Sequence, residues 1–193
     1  MALGCSDSYT CAVASDGKVF TWHRDLTEPI WTFTLPKEHC SIKKIICHRH
    51  LTMILTKTGC LYSKETSSEG GRGNYFRGNG DTFEIVRKHV QDLAITKDRI
   101  FLIEENKLRI LGKDCEQLNE TLKNITFHGQ NVILASNPIL RIVVAYDGQS
   151  LWMIDKRNAG KTGFTSLGNC LYLGENITIL VCSSANTNSQ RVT

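Results

Sequence analysis

A short turn between two apolar runs occurs four times along the chain, as Asp16-Gly17, Thr58-Gly59, Glu105-Asn106 and Asp147-Gly148. The second turn residues stand 42 to 47 positions apart. Such turns need positive φ, which Gly takes freely and Asn tolerates, so Asn106 reads as a stand-in for glycine in one shared geometry. Before each turn runs an apolar segment: TCAVAS (10–15), TMILTK (52–57), RIFLIE (99–104) and RIVVAY (141–146). After each comes a second: KVFTW (18–22), CLYS (60–63), KLRIL (107–111) and SLWMI (150–154). These runs are rich in β-branched, aromatic and aliphatic residues, the composition of hairpin strands. A further strand leads into three of the units, at 41–47, 89–95 and 131–136. The segments are too short and too regularly punctuated for long helices. Hairpins recurring at this period predict an all-β chain of about four β-propeller blades.

The predicted propeller domain spans residues 1–182. A weaker fifth hairpin, NCLYLG (169–174) and ITILVC (177–182), closes it, and a polar tail follows at 183–193. The chain has 193 residues, 41% hydrophobic and 22% charged, an ordinary balance for a soluble domain with a sizeable core. No apolar run reaches the roughly 18 residues of a membrane helix, and MALGCSDSYT lacks the basic start and apolar stretch of a secretory signal. The expected location is cytoplasmic or nuclear.

Eight cysteines and the sequons at Asn119, Asn124 and Asn176 point towards secretion. The absent leader points the other way, so the thiols are read as reduced and buried. Net charge is +4. The basic stretches 37–50, with Lys43, Lys44 and Arg49, and 72–89, with Arg77, Arg87 and Lys88, read as solvated loop faces. The competing reading is a footprint for nucleic acid or an acidic protein.

The first unit, CSDSYTCAVASDGKVFTW, resembles the repeat of the regulator of chromosome condensation family. Cys5, Thr10, Asp16, Gly17, Val19, Phe20 and Trp22 match that pattern, while Ser6, Tyr9 and His23 depart from it. In the second unit Cys47, Thr52, Gly59, Leu61 and Tyr62 match. Gly78-Asn79-Gly80-Asp81-Thr82, followed by Phe83 to Val86, is similar to the family's connecting segment before the next blade. The resemblance covers nearly the whole chain in rhythm and about half of it in motif. It implies blades pitched for a seven-membered ring, of which this chain supplies about four. It also implies a role among exchange factors for small GTPases, chromatin binders and scaffolds. No catalytic residue of the exchange factors can be placed on this sequence.

Three clusters hold side chains capable of chemistry. His39, Cys40, Cys47, His48, His50 and Cys60 are zinc-type ligands, but their spacing fits no standard finger. Alternation sends Cys47 and His48 to opposite faces of a strand, and Cys47 holds the repeat position of Cys5. Both cysteines are therefore expected to be buried packing residues, and no metal or cofactor is expected. Ala159-Gly160-Lys161-Thr162 echoes a phosphate-binding loop, yet Asp155 stands where its first Gly belongs. The Gly-rich stretch 70–80 carries Arg72, Tyr75, Phe76 and Arg77, aromatics beside arginines as in binding hot spots. No nucleophile elbow or zinc-protease motif occurs.

The functional expectation is a non-enzymatic protein-interaction module or scaffold, with guanine-nucleotide exchange on a small GTPase as the alternative and a Cys/His enzyme third. The partner is a protein, a small GTPase or chromatin protein among the candidates. An open arc is also expected to associate through its terminal blades, with itself or a larger partner, through the edge around Ile179.

Overall fold

The computed structural model describes residues 1–6, 9–23, 28–48, 51–65, 82–96, 99–111, 115–116, 119–120, 127, 132–137, 142–148, 150–155 and 165–169. They form four antiparallel sheets in chain order. Blade 1 comprises β1 (Ala2–Cys5), β2 (Tyr9–Val13), β3 (Lys18–His23) and β4 (Ile30–Thr34). Blade 2 comprises β5 (Ile42–His48), β6 (Leu51–Thr56), β7 (Leu61–Glu65) and β8 (Glu84–Arg87). Blade 3 has β9 (Val90–Ile95), β10 (Ile100–Glu104) and β11 (Lys107–Leu111) among the described residues. Blade 4 has β12 (Ile133–Asn137), β13 (Ile142–Tyr146), β14 (Ser150–Asp155) and β15 (Thr165–Asn169).

All four predicted hairpins are present, as β2–β3, β6–β7, β10–β11 and β13–β14. Several strands go beyond the sequence reading, β4 on the outer edge of blade 1 among them. The first unit has its own inner strand, β1. Residues after Phe83, read as a connecting segment, form β8 on the outer edge of blade 2. Blade 4 gains β15 in the same outer position. Apart from Asn169, which ends β15, the fifth hairpin and the polar tail lie outside the described residues, as do Asn124 and Asn176.

The turns do not share one geometry. In blade 1 the Ala14 N–H donates to the Lys18 carbonyl (2.9 Å) and the Gly17 N–H to the Ala14 carbonyl (3.0 Å). Blade 2 repeats this at Thr56, Cys60 and Gly59. Both are three-residue loops with a left-handed glycine, Gly17 at φ +86° and Gly59 at φ +83°. In blade 3 Glu104 pairs directly with Lys107, so Glu105 (φ 51°) and Asn106 (φ 60°) make a two-residue turn with both residues left-handed. What recurs is the next step. The second turn residue's carbonyl accepts an N–H from the segment that leaves the blade: Leu35 to Gly17, Val90 to Gly59 and Phe127 to Asn106.

Inner strands β1, β5, β9 and β12 lie side by side, and the core fills the spaces between successive blades. Cys11, Val13 and Val19 of blade 1 meet Cys47, Ile54 and Tyr62 of blade 2. Met53, Leu55 and Leu61 of blade 2 meet Leu93, Ile100 and Leu102 of blade 3. Phe101, Ile103 and Ile110 of blade 3 meet Leu134, Val143 and Ala145 of blade 4. Strand alternation thus gives each middle blade two apolar faces, which is why β6 and β10 read as continuous apolar runs. Among the described residues no helix is long and apolar enough to cross a membrane.

Candidate functional site

Arg72, Tyr75, Phe76 and Arg77 lie outside the described residues, as do His50 and the 159–162 segment. What can be described is the frame around the Gly-rich stretch. Pairing of Ser63 with Glu84 and of Leu61 with Arg87 puts both ends of the connection at the edge of blade 2 opposite the Gly59 turn. Phe83 anchors the returning chain: it is buried, 5.9 Å in ring centroids from Phe33, which is 6.0 Å from Tyr62.

Below this aromatic group the chain gathers part of the Cys/His set. Pro36 opens a 3₁₀ turn, Lys37–His39, and its carbonyl accepts the His39 N–H (2.8 Å) and the Cys40 thiol (3.3 Å). The turn aims the His39 ring between blades, with Nδ1 bonded to the Tyr62 hydroxyl and Nε2 3.3 Å from Cys60 Sγ. Burial holds the Tyr62 phenol above its usual pKa, so it stays a protonated O–H at neutral pH. A thiol on an imidazole that a third group orients has the form of an activated nucleophile. Here the sulfur is buried in the core between blades 1 and 2, so the contact acts to satisfy polar atoms within packing. Cys47 stands apart from this group, with Sγ 3.3 Å from the Gly4 carbonyl. Among the described residues no three His, Cys, Asp or Glu side chains are placed to hold a metal ion.

The matching cysteines differ. Cys47 is buried, but Cys5 is exposed, contrary to expectation. Cys47 is covered by blade 1, whereas Cys5 lies on the face of blade 1 that no described blade covers. The first basic stretch also departs from its reading as a solvated loop. Lys43 and Lys44 lie on β5, and Lys43 Nζ donates to the Gln91 carbonyl. Lys44 Nζ sits 2.7 Å from Asp92 Oδ1 and donates to the carbonyls of Leu93 and Leu134, each at 3.0 Å. Asp92 Oδ2 accepts the Leu134 N–H at 2.7 Å. One ion pair therefore ties the inner strands of blades 2, 3 and 4. A lysine pair in a strand gives no sign of this, because Asp92 lies 48 residues away.

Four sheets in series, inner strands adjacent and cores between the faces, are the arrangement of propeller blades.

The chain is a β-propeller arc.

Solved structures agree on that fold. Prp20p from Saccharomyces cerevisiae superposes with a TM-score of 0.54 at 14% identity, covering 80% of this chain and 43% of that one. Yeast RCC1 (Prp20) bound to Kap60 gives 0.53 at 15%, covering 80% and 41%. Human WBSCR16 gives 0.51 at 18%, covering 80% and 48%. The arc spans less than half the length of each. No protein-family profile and no curated protein sequence matches the chain.

Proposed function

We propose that this propeller arc is a non-enzymatic interaction module of the regulator of chromosome condensation type. Its protein partner meets the rim of blade 2 through Arg72, Tyr75, Phe76 and Arg77. The observation that carries the reading is the length of the connection between β7 and β8, residues 66–83, in a blade whose other strands follow one another after only a few residues. Connections between neighbouring strands beyond roughly 12–15 residues are uncommon in compact domains and are often functional. This one holds two arginines and two aromatics within six positions, and such side chains dominate interface energetics. Prp20p, of the same fold, has binding properties to Gsp1p and histones, which favours nucleotide exchange as the second reading.

The test is affinity capture by the whole chain beside a variant with all four residues changed to alanine. Loss of about tenfold or more of a captured protein, with an unchanged circular dichroism spectrum, supports the loop as the contact. Equal capture by both proteins would overturn it. Accelerated nucleotide release from a captured GTPase would move the assignment to the exchange reading.

A further inference from the structure

The joint between blades 2 and 3 is apolar inside and charged at its rim. On β10 and β11 the pairs Ile100–Leu111, Leu102–Arg109 and Glu104–Lys107 stand in register. Cross-strand partners share a face and every second residue repeats it, so all six lie on the side that meets blade 2. Ile100 and Leu102 enter the core shared with blade 2, and Leu111 packs against it. Arg109, Glu104 and Lys107 continue that face past the core, towards the Asn106 turn.

Blade 2 meets them with β8. Leu61 pairs with Arg87 but Tyr62 with Ile85, which leaves Val86 as an extra residue. A bulge of this kind re-aims side chains. Val86 packs against the shared core, and Arg87 reaches the Glu104 carboxylate. Arg87 Nε lies 3.6 Å from Glu104 Oε1, and Arg109 Nε lies 3.1 Å from Oε2. The Glu104 side chain is 15% exposed, against 47% for Arg87 and 58% for Arg109. One sunken carboxylate therefore holds two half-exposed guanidiniums by their Nε edges. Their Nη groups meet no acceptor among the described residues. The backbone on both sides is tied down. The Val90 N–H donates to the Gly59 carbonyl at 3.0 Å, and Asn106 exchanges two hydrogen bonds with the Gln91 amide, at 2.6 and 2.7 Å. Lys88 is exposed beside Arg87, and Lys107 beside Arg109. Against these four cations stand Glu104 and Glu105, so the rim keeps a surplus of positive charge.

We propose that this rim binds a phosphate group, held between the guanidiniums of Arg87 and Arg109 with Lys107 beside them. A guanidinium fork takes two acceptor oxygens at once. A carboxylate has oxygens for one fork, whereas a phosphate offers at least three and can serve two. Side chains already ordered by Glu104 also lose less freedom on binding than free ones would. The ligand is a phosphate, either the free ion or a monoester on a larger molecule. The site lies at the Gly59 end of blade 2, opposite the 66–83 connection, and does not rest on that loop.

The experiment is calorimetric titration of the whole 193-residue chain at constant ionic strength. The probes are inorganic phosphate, a short peptide with one phosphoserine, and the same peptide with glutamate in that place. Saturable binding of one equivalent of either phosphate probe is expected. Tighter binding of the free ion assigns the site to phosphate itself, and tighter binding of the phosphopeptide to a monoester. Arg87→Gln and Arg109→Gln should each weaken it about tenfold or more, the loss of a hydrogen-bonded charge. Lys18→Gln removes an exposed lysine from blade 1 and should bind as wild type. Arg109→Lys keeps the charge against Glu104 but loses the fork, so it should melt like wild type and still bind several-fold more weakly. Absence of saturable binding by both phosphate probes would overturn the proposal. So would equal affinity for the glutamate peptide, arginine variants that bind as well as wild type, or a Lys18→Gln loss as large as theirs.

Discussion

Cys11 and Cys47 show how a residue's environment writes itself into pH behaviour. Burial pushes the Cys11 thiol up to about 12, with the neighbouring Cys47 adding to the effect, and burial likewise pushes Cys47 up to about 11. An unfolded thiol loses its proton from about 9, the value both groups depart from. Between these values the unfolded chain binds fewer protons than the folded one, so stability is intact below pH 9 and falls as pH rises towards 12. Each thiol steepens that fall by up to about 1.4 kcal/mol per pH unit. Urea unfolding below pH 9 and again near pH 10.5 should show a smaller loss for Cys11→Ala than for wild type. An equal loss in both would mean that the thiol is not the group responsible. Asn119 is a second case of environment over motif. Its amide accepts the Ile110 N–H and donates to the Ile110 carbonyl, both at 2.8 Å. It thereby covers the edge of β11, which explains the asparagine without a glycan.

Among the elements, the inner strands depend on more than apolar packing. Lys44 reaches from β5 to Asp92 on β9, and Asp92 accepts the backbone N–H of Leu134 on β12. Removing the cation strands a carboxylate that is 2% exposed. Lys44→Met should cost about 3 kcal/mol, the lower end for a broken buried pair, because Lys44 keeps 29% of its side chain exposed. Urea denaturation measures this directly. A cost under about 0.5 kcal/mol, the range of ordinary surface changes, would mean that the tie adds nothing. The hairpins around these strands were legible in the chain because a turn and two apolar runs are local signals. Their turn types were not. One residue fewer between Glu104 and Lys107 than between the matching pairs changes the loop class, and only the ladder reveals the count.

For the whole molecule, each blade touches its sequence neighbours, so stability is close to a sum of blade and interface contributions. The joint between blades 1 and 2 depends on the absence of a side chain at Gly4. A Cβ there would lie 2.5 Å from Ile45 Cγ2. Gly4→Val should loosen blade 1 while leaving blades 2 to 4 packed, and the readout is faster labelling of Cys47. A Cys47 that stays as slow as in wild type would show that the joint accommodates the added bulk. The period of the turns and the alternation of apolar residues determined the sheet content, the four hairpins and the likeness to a propeller, because these depend on residues close in sequence. The exposure of Cys5, the burial of Cys47 and the pairing of Lys44 with Asp92 were decided only by the stacking of blades. Equivalent repeat positions become unequal once one blade has a neighbour on a face and another does not, and nothing in a local stretch of sequence records which face is covered.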